Sequence, residues 1–118
     1  MTNKEISINF DKMINAFEKD SSYRPAKISF KIQKNIRKLY ELVEEIDKAK
    51  QSIGEQYGAK DKDGYHIPPE NVQKAQQEID DLMSIEQEVS FLTISLSEIE
   101  NMDFTLKQMD ALMFMVTE

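Results

Sequence analysis

Residues 25–57 read PAKISFKIQKNIRKLYELVEEIDKAKQSIGEQY, and this stretch decides the fold. Apolar side chains recur at Ile32, Ile36, Leu39, Val43, Ile46, Ile53 and Tyr57, with Lys50 as the polar step between. The steps alternate four and three, the a/d spacing of a coiled-coil helix. Pro25 suits a first helical position, because its missing N–H has no helical partner there. Gly58 is placed to close the helix in the left-handed conformation. Such a helix cannot bury its stripe alone and needs a partner.

The partner is expected from Pro69 to about Glu88. Its seam is Val72, Ala75, Ile79, Leu82, then Ile85 or Glu86, then Val89. The polar connector Ala59–Pro68 holds an Asp63-Gly64 turn and a short extended piece, Tyr65-His66-Ile67. Folding back at Gly64 pairs Tyr57 with Val72, Ile53 with Ala75, Ile46 with Leu82 and Leu39 with Val89, as an antiparallel hairpin requires. Lys50 falls opposite Ile79 and snorkels to the edge.

Both chain ends are expected to cover the first half of the long helix, where Ile28, Phe30, Ile32 and Ile36 form a wide apolar surface. Ile6-Ser7-Ile8-Asn9-Phe10 alternates like a half-buried strand. Asp11 then caps a short helix carrying Met13, Ile14 and Phe17, and Asp20-Ser21-Ser22 ends it. Ser90–Ser97 alternates Leu92, Ile94 and Leu96 with polar residues, a second strand able to pair with Ile6–Phe10. Thr105 and Gln108 form a capping-box pattern before a last helix whose apolar side is Leu106, Met109, Leu112, Met113 and Val116. The expected architecture is mainly α, a single domain over residues 1–118. A long antiparallel helical hairpin forms a coiled-coil stalk (25–88), and a small α+β head is made by the N- and C-terminal segments (1–24 and 89–118).

Composition narrows the function classes. The chain has 118 residues, 40% of them hydrophobic and 31% charged, enough for one core. It has no cysteine, so thiol chemistry, disulfides and cysteine metal sites are excluded. No signal peptide is expected from the opening MTNKEISINF, and no apolar run here is long enough to span a bilayer. A net charge of −7 opposes non-specific binding to nucleic acid. One histidine, His66, excludes mechanisms that need two. No constellation of catalytic residues is recognisable, so an enzyme is not expected, and neither a cofactor nor a metal.

Four features bear on chemistry. Placing Gly64 at the sixth position of a calcium loop puts Asp61 third, Asp63 fifth and Glu70 twelfth. The first position is then Ala59, and two prolines fall inside the loop, so a solvated turn is the plainer reading. Arg24, Lys27, Lys31, Lys34, Arg37 and Lys38 follow one another with no acid between Asp20 and Glu41. Lys27, Lys31, Lys34, Arg37 and Lys38 are partner-binding candidates for phosphate or an acidic protein, set against the plainer reading of a solvated face. The carboxylates of Glu41, Glu44, Glu45, Asp47, Glu78, Asp80, Asp81, Glu86 and Glu88 read as the wet face of the stalk. Met109, Met113 and Phe114 lie in a run too apolar for one helix side. Core packing and contact with a second chain, such as a homodimer, both account for it.

The order of segments resembles a group of small uncharacterised proteins of phages and prophages of Gram-positive bacteria. The resembling pieces are Ile6 to Phe17, the Pro25–Asn35 helix opening, the Tyr57–Gly64 turn, Pro69-Glu70-Asn71, Glu88–Leu96 and the Phe104–Leu112 helix. The resemblance implies a phage setting and a protein-interaction role, with no catalytic residues. The expected function is therefore a non-enzymatic interaction protein in the cytoplasm of the bacterial host, binding and modulating (for example inhibiting) a host or defence protein. The alternative is a structural or assembly component of the virion. A nucleic-acid-binding regulator using the basic stripe ranks third.

Overall fold

The computed structural model describes residues 1–61 and 64–118. The chain is mainly helical, and one helix sets its dimensions. Helix α2, Ala26–Tyr57, has 32 residues, with Pro25 just outside it as the N-cap rather than at its first helical position. At roughly 1.5 Å per residue it runs about 48 Å, most of the longest molecular extent of 55 Å. Its buried face is Ile28, Ile32, Asn35, Leu39 and Ile46. Asn35, rather than Ile36, occupies the innermost step.

Gly58 does not take the left-handed conformation. Its φ of −83° and ψ of 160° are extended, while its N–H still bonds to the Gly54 carbonyl at 2.7 Å. The chain passes straight from α2 into strand β1, Ala59–Asp61, which pairs antiparallel with β2, Gly64–His66. An extended residue is what that exit needs. The left-handed glycine is Gly64, with φ +108° at the start of β2. Asp63 and the side chain of Asp61, two of the calcium-loop positions, lie outside the described residues.

Helix α3 covers Pro69–Met83 and stops short of Glu88. Ser84 ends it, its N–H and hydroxyl both bonding to the Asp80 carbonyl. Beyond Ser84 the backbone is taken by the N-terminus. The Asn3 N–H bonds to the Ile85 carbonyl at 2.9 Å, and the Gln87 N–H to the Met1 carbonyl at 2.8 Å. The Asn3 side-chain amide also caps the Leu82 carbonyl at 2.8 Å, one of the carbonyls a helix end leaves open. Val72 and Ile85, expected in the seam, are exposed. The buried seam residue of α3 is Ala75. Tyr57 also ties α2 to α3: its carbonyl accepts from the Asn71 amide at 3.1 Å, and its hydroxyl donates to Glu78 at 3.0 Å.

The expected N-terminal strand is a helix. Helix α1, Asn3–Phe17, includes Ile6–Phe10, and Asp11 is an exposed residue inside it, not a cap. A capping box starts it: the Glu5 N–H bonds to the Thr2 hydroxyl at 3.1 Å, and the Thr2 N–H to the Glu5 carboxylate at 2.9 Å. From there Ile6, Phe10, Met13 and Phe17 recur at helical spacing. Five alternating residues fit both periods, and the cap decides between them.

The second expected strand shrinks to β3, Ile94–Ser95. It pairs in parallel with β4, Val116–Thr117, not with residues 6–10. Ser95 then opens a single helical turn, α4, Leu96–Ile99, with its N–H on the Glu98 carboxylate at 3.2 Å. Helix α5, Leu106–Leu112, begins at the Thr105–Gln108 capping box, as the sequence predicts, and a 3-10 turn, Met113–Met115, follows. Its inner face differs from expectation. Leu106 is 92% and Met113 60% exposed, while Gln108, Ala111, Leu112 and Met115 are buried. Gln108 is held inward: its side-chain oxygen accepts from the Thr105 N–H, and its NH₂ donates to the Ala16 carbonyl at 3.3 Å. That rotation turns Leu106 outward.

The core joins Ile6 and Met13 of α1, the inner face of α2, Ile94, Ile99, Ala111, Leu112 and Met115. Each such large side chain contributes about 1.5–3 kcal/mol by leaving water. α1 and the C-terminal elements thus cover the first half of α2, and α3 lies along its last part.

Candidate functional site

The basic stripe of α2 is divided between two jobs. On one flank it holds the extended segment that follows α3. Lys38 donates to the Ser90 carbonyl, Lys31 to the Thr93 carbonyl at 2.7 Å, and Lys27 sits 3.4 Å from the Glu98 carboxylate. Between them Asn35 meets Leu92 with both ends of its amide. As α2 descends from 38 to 27, its contacts climb from 90 to 98, so the segment runs antiparallel to the helix. The Ser95 N–H, then its hydroxyl and Lys27, hold the Glu98 carboxyl below its usual range. Lys27, Lys31 and Lys38 therefore brace the chain internally.

Lys34 and Arg37 belong to the other flank. Both are exposed, and neither has a hydrogen bond or ion pair among the described residues. Phe30 lies beside them, 62% exposed where a head was expected to cover it, and Tyr40 is 54% exposed. Helix α1 supplies the neighbouring wall. Phe10, Ile14, Gln33, Ile36, Arg37 and Tyr40 line an open groove of about 370 Å³ between the two helices. The rings of Phe10 and Tyr40 are 6.0 Å apart and tilted by 50°. One turn further on, the sign of the charge inverts: Glu41, Glu44, Glu45 and Asp47 are all exposed. The sequence did carry a signal for this face. Phe30, Gln33, Arg37, Tyr40 and Glu44 repeat at three and four, a second heptad line on the same helix.

The C-terminal candidates separate. Phe114 is half-buried and meets Phe91 edge-on at 5.1 Å, Met109 is half-buried against the core, and Met113 alone of the three points outward. They do not join the α1–α2 groove. A different contact, absent from the expectations, locks the two ends of the first loop. Arg24 is ion-paired with Asp20, and its guanidinium lies 4.4 Å over the Phe104 ring and 5.8 Å over that of Phe17. Arg24 holds the Asp20 carboxyl below its ordinary value. Sequence alone offered no reason to separate Arg24 from the other cations.

At the far end, Gln51, Gly54, Glu55, His66 and Ile67 line a second groove of about 290 Å³. Among the described residues, no three acidic or histidine side chains converge as metal ligands. Among the same residues, no helix is long and apolar enough to cross a membrane. Comparison with family models, with curated proteins and with solved structures gave no match.

Proposed function

We propose that this chain is a non-enzymatic protein-interaction module whose docking face is the outer side of α2 with the adjoining edge of α1. One observation carries the reading: Phe10, Arg37 and Tyr40 line an open groove between α1 and α2, and Phe30, two turns before Arg37 on α2, is exposed. Aromatic residues and arginine are the side chains that most often anchor protein interfaces. In this reading α2 and α3 form an antiparallel stalk, and the groove lies at the end where α1 joins it. The resemblance to phage and prophage proteins makes a host or defence protein the expected target. Nucleic acid fits less well, because Lys27, Lys31 and Lys38 are engaged within the chain and the net charge is −7.

A photo-crosslinking residue placed at Arg37 or at Tyr40 tests the face in bacterial lysate. The expected result is a discrete cross-linked protein, identified by mass spectrometry, that is absent when the same residue replaces Lys107 on α5. Equal labelling from both positions, or none from either, overturns the reading.

A further inference from the structure

The outer face of α2 has a property that singles out one occupant. Phe30, Lys34, Arg37, Glu41, Glu44 and Lys48 fall along one line of the helix, at steps of three and four. The cations and the carboxylates of this line are separated into blocks. Between residues 21 and 40 every charged residue is basic, and between 41 and 47 every one is acidic. Lys34, Arg37, Glu41 and Glu44 are exposed and lack an ion pair among the described residues. A helix face whose charge inverts about its midpoint is complementary to itself when turned through a two-fold axis. Two-fold pairing is also the commonest way for a chain to associate with its own kind.

We infer that the docking face pairs with the same face of a second copy, the two α2 helices crossing antiparallel at the level of Leu39. Arg37 of each copy then meets Glu41 of the other, and Lys34 meets Glu44. The same register lays Lys48 over Phe30, whose ring accepts the cation while the aliphatic stem covers it. Tyr40 sits beside the axis, and Phe10 and Ile14 of α1 widen the apolar contact on each side. Exposed ion pairs contribute little energy singly, so the aromatic contacts supply the attraction and the charges set direction and register. No competing cation or carboxylate of α1 lines the groove, whose only charged member is Arg37. This inference rests on the docking reading above and puts a second copy, in place of a host or defence protein, on that same face.

Charge exchange tests it. The wild-type chain at about 100 μM, where micromolar pairing is nearly complete, is expected to show twice its 13.7 kDa mass in sedimentation equilibrium. Lys34→Glu/Arg37→Glu sets acid against acid, and Glu41→Lys/Glu44→Lys sets base against base. Each double variant is expected to raise the dissociation constant at least tenfold with an unchanged circular-dichroism spectrum. Combining all four substitutions restores opposite charges across the axis and is expected to restore the dimer. A monomeric wild type, or a dimer insensitive to both double variants, overturns the inference. A dimer that weakens in the double variants without recovering in the fourfold variant also overturns this register. A monomer that still cross-links a foreign protein from Arg37 leaves the docking face standing with a different occupant; a monomer without such cross-links removes both readings.

Discussion

The side-chain amide of Asn35 pairs with the backbone of Leu92 as one strand pairs with another. Its NH₂ donates to the Leu92 carbonyl at 2.7 Å, and its oxygen accepts from the Leu92 N–H at 3.0 Å. Asn35 is 1% exposed, in the middle of an apolar helix face. Its second N–H direction is met by the Met115 sulfur at 3.2 Å. The residue thus ties α2, the extended segment and the C-terminal turn at one point. Lys31 and Lys38 grip the same segment on either side.

Replacing Asn35 leaves polar groups without partners. Asn35→Ala is expected to cost about 1–3 kcal/mol in urea unfolding, since the Leu92 N–H and carbonyl both lose their partner. Asn35→Asp is expected to cost more at neutral pH. Its carboxylate accepts from the N–H but faces the carbonyl oxygen with no donor. Hydrogen exchange at the Leu92 amide gives the local check, and retained protection in Asn35→Ala would contradict the pairing.

The Arg24 cluster predicts a strong single-site effect. The guanidinium and the Asp20 carboxylate are both largely shielded, with 8% and 12% of their side chains exposed. Removing one member of such a partly shielded, hydrogen-bonded pair costs about 1.5–3 kcal/mol, because the other charge loses its partner. Arg24→Met keeps much of the apolar stem yet loses the ion pair and the stacking on Phe104. It is expected to fall near the lower end of that range in thermal or urea unfolding. A loss below about 1 kcal/mol would place the pair among ordinary surface contacts.

Acid should weaken the fold in a defined direction. The Thr2 N–H holds the Glu5 carboxyl low, Arg24 does the same for Asp20, and the Ser95 N–H for Glu98. A carboxyl held lower in the folded chain than in the unfolded one stabilises above its unfolded value. That stability disappears as pH falls through the folded value. Stability is therefore expected to be constant above the ordinary carboxylate range and to drop below it. Glu98→Gln should make the acid-side slope shallower, measured as unfolding free energy at successive pH values; an unchanged slope would refute the assignment.

Two leucines six residues apart should behave oppositely. Leu112 is fully buried and Leu106 is 92% exposed. Leu112→Ala is expected to cost about 2–5 kcal/mol, and Leu106→Ser to stay within about 0.5 kcal/mol. Thr105→Ala, which removes the cap of the same helix, is expected to cost about 1 kcal/mol. Melting temperatures of the three variants check the order.

The sequence by itself determined the features that depend on neighbours within about a turn. Pro25 and Pro69 mark two helix starts, Thr105 with Gln108 marks a third, and the heptad steps from Ile32 to Ile46 mark one long helix. Thr2 and Glu5 carry a signal of the same kind, but the alternation of Ile6 to Phe10 fits a strand as well as a helix turn. What tertiary structure alone decided involves groups far apart in the chain. Helix α3 ends at Met83 because Met1 and Asn3 occupy the backbone beyond it. Strand β3 pairs with β4 in a two-residue contact that no local pattern specifies. Gln108 faces inward because Ala16 and Arg24 wait there, and Leu106 turns outward in consequence. Asn35 belongs in an apolar stripe only once Leu92, 57 residues later in the chain, meets its amide. A polar group's burial is favourable or costly according to a partner the sequence does not place, and that partner's position is set by the fold as a whole.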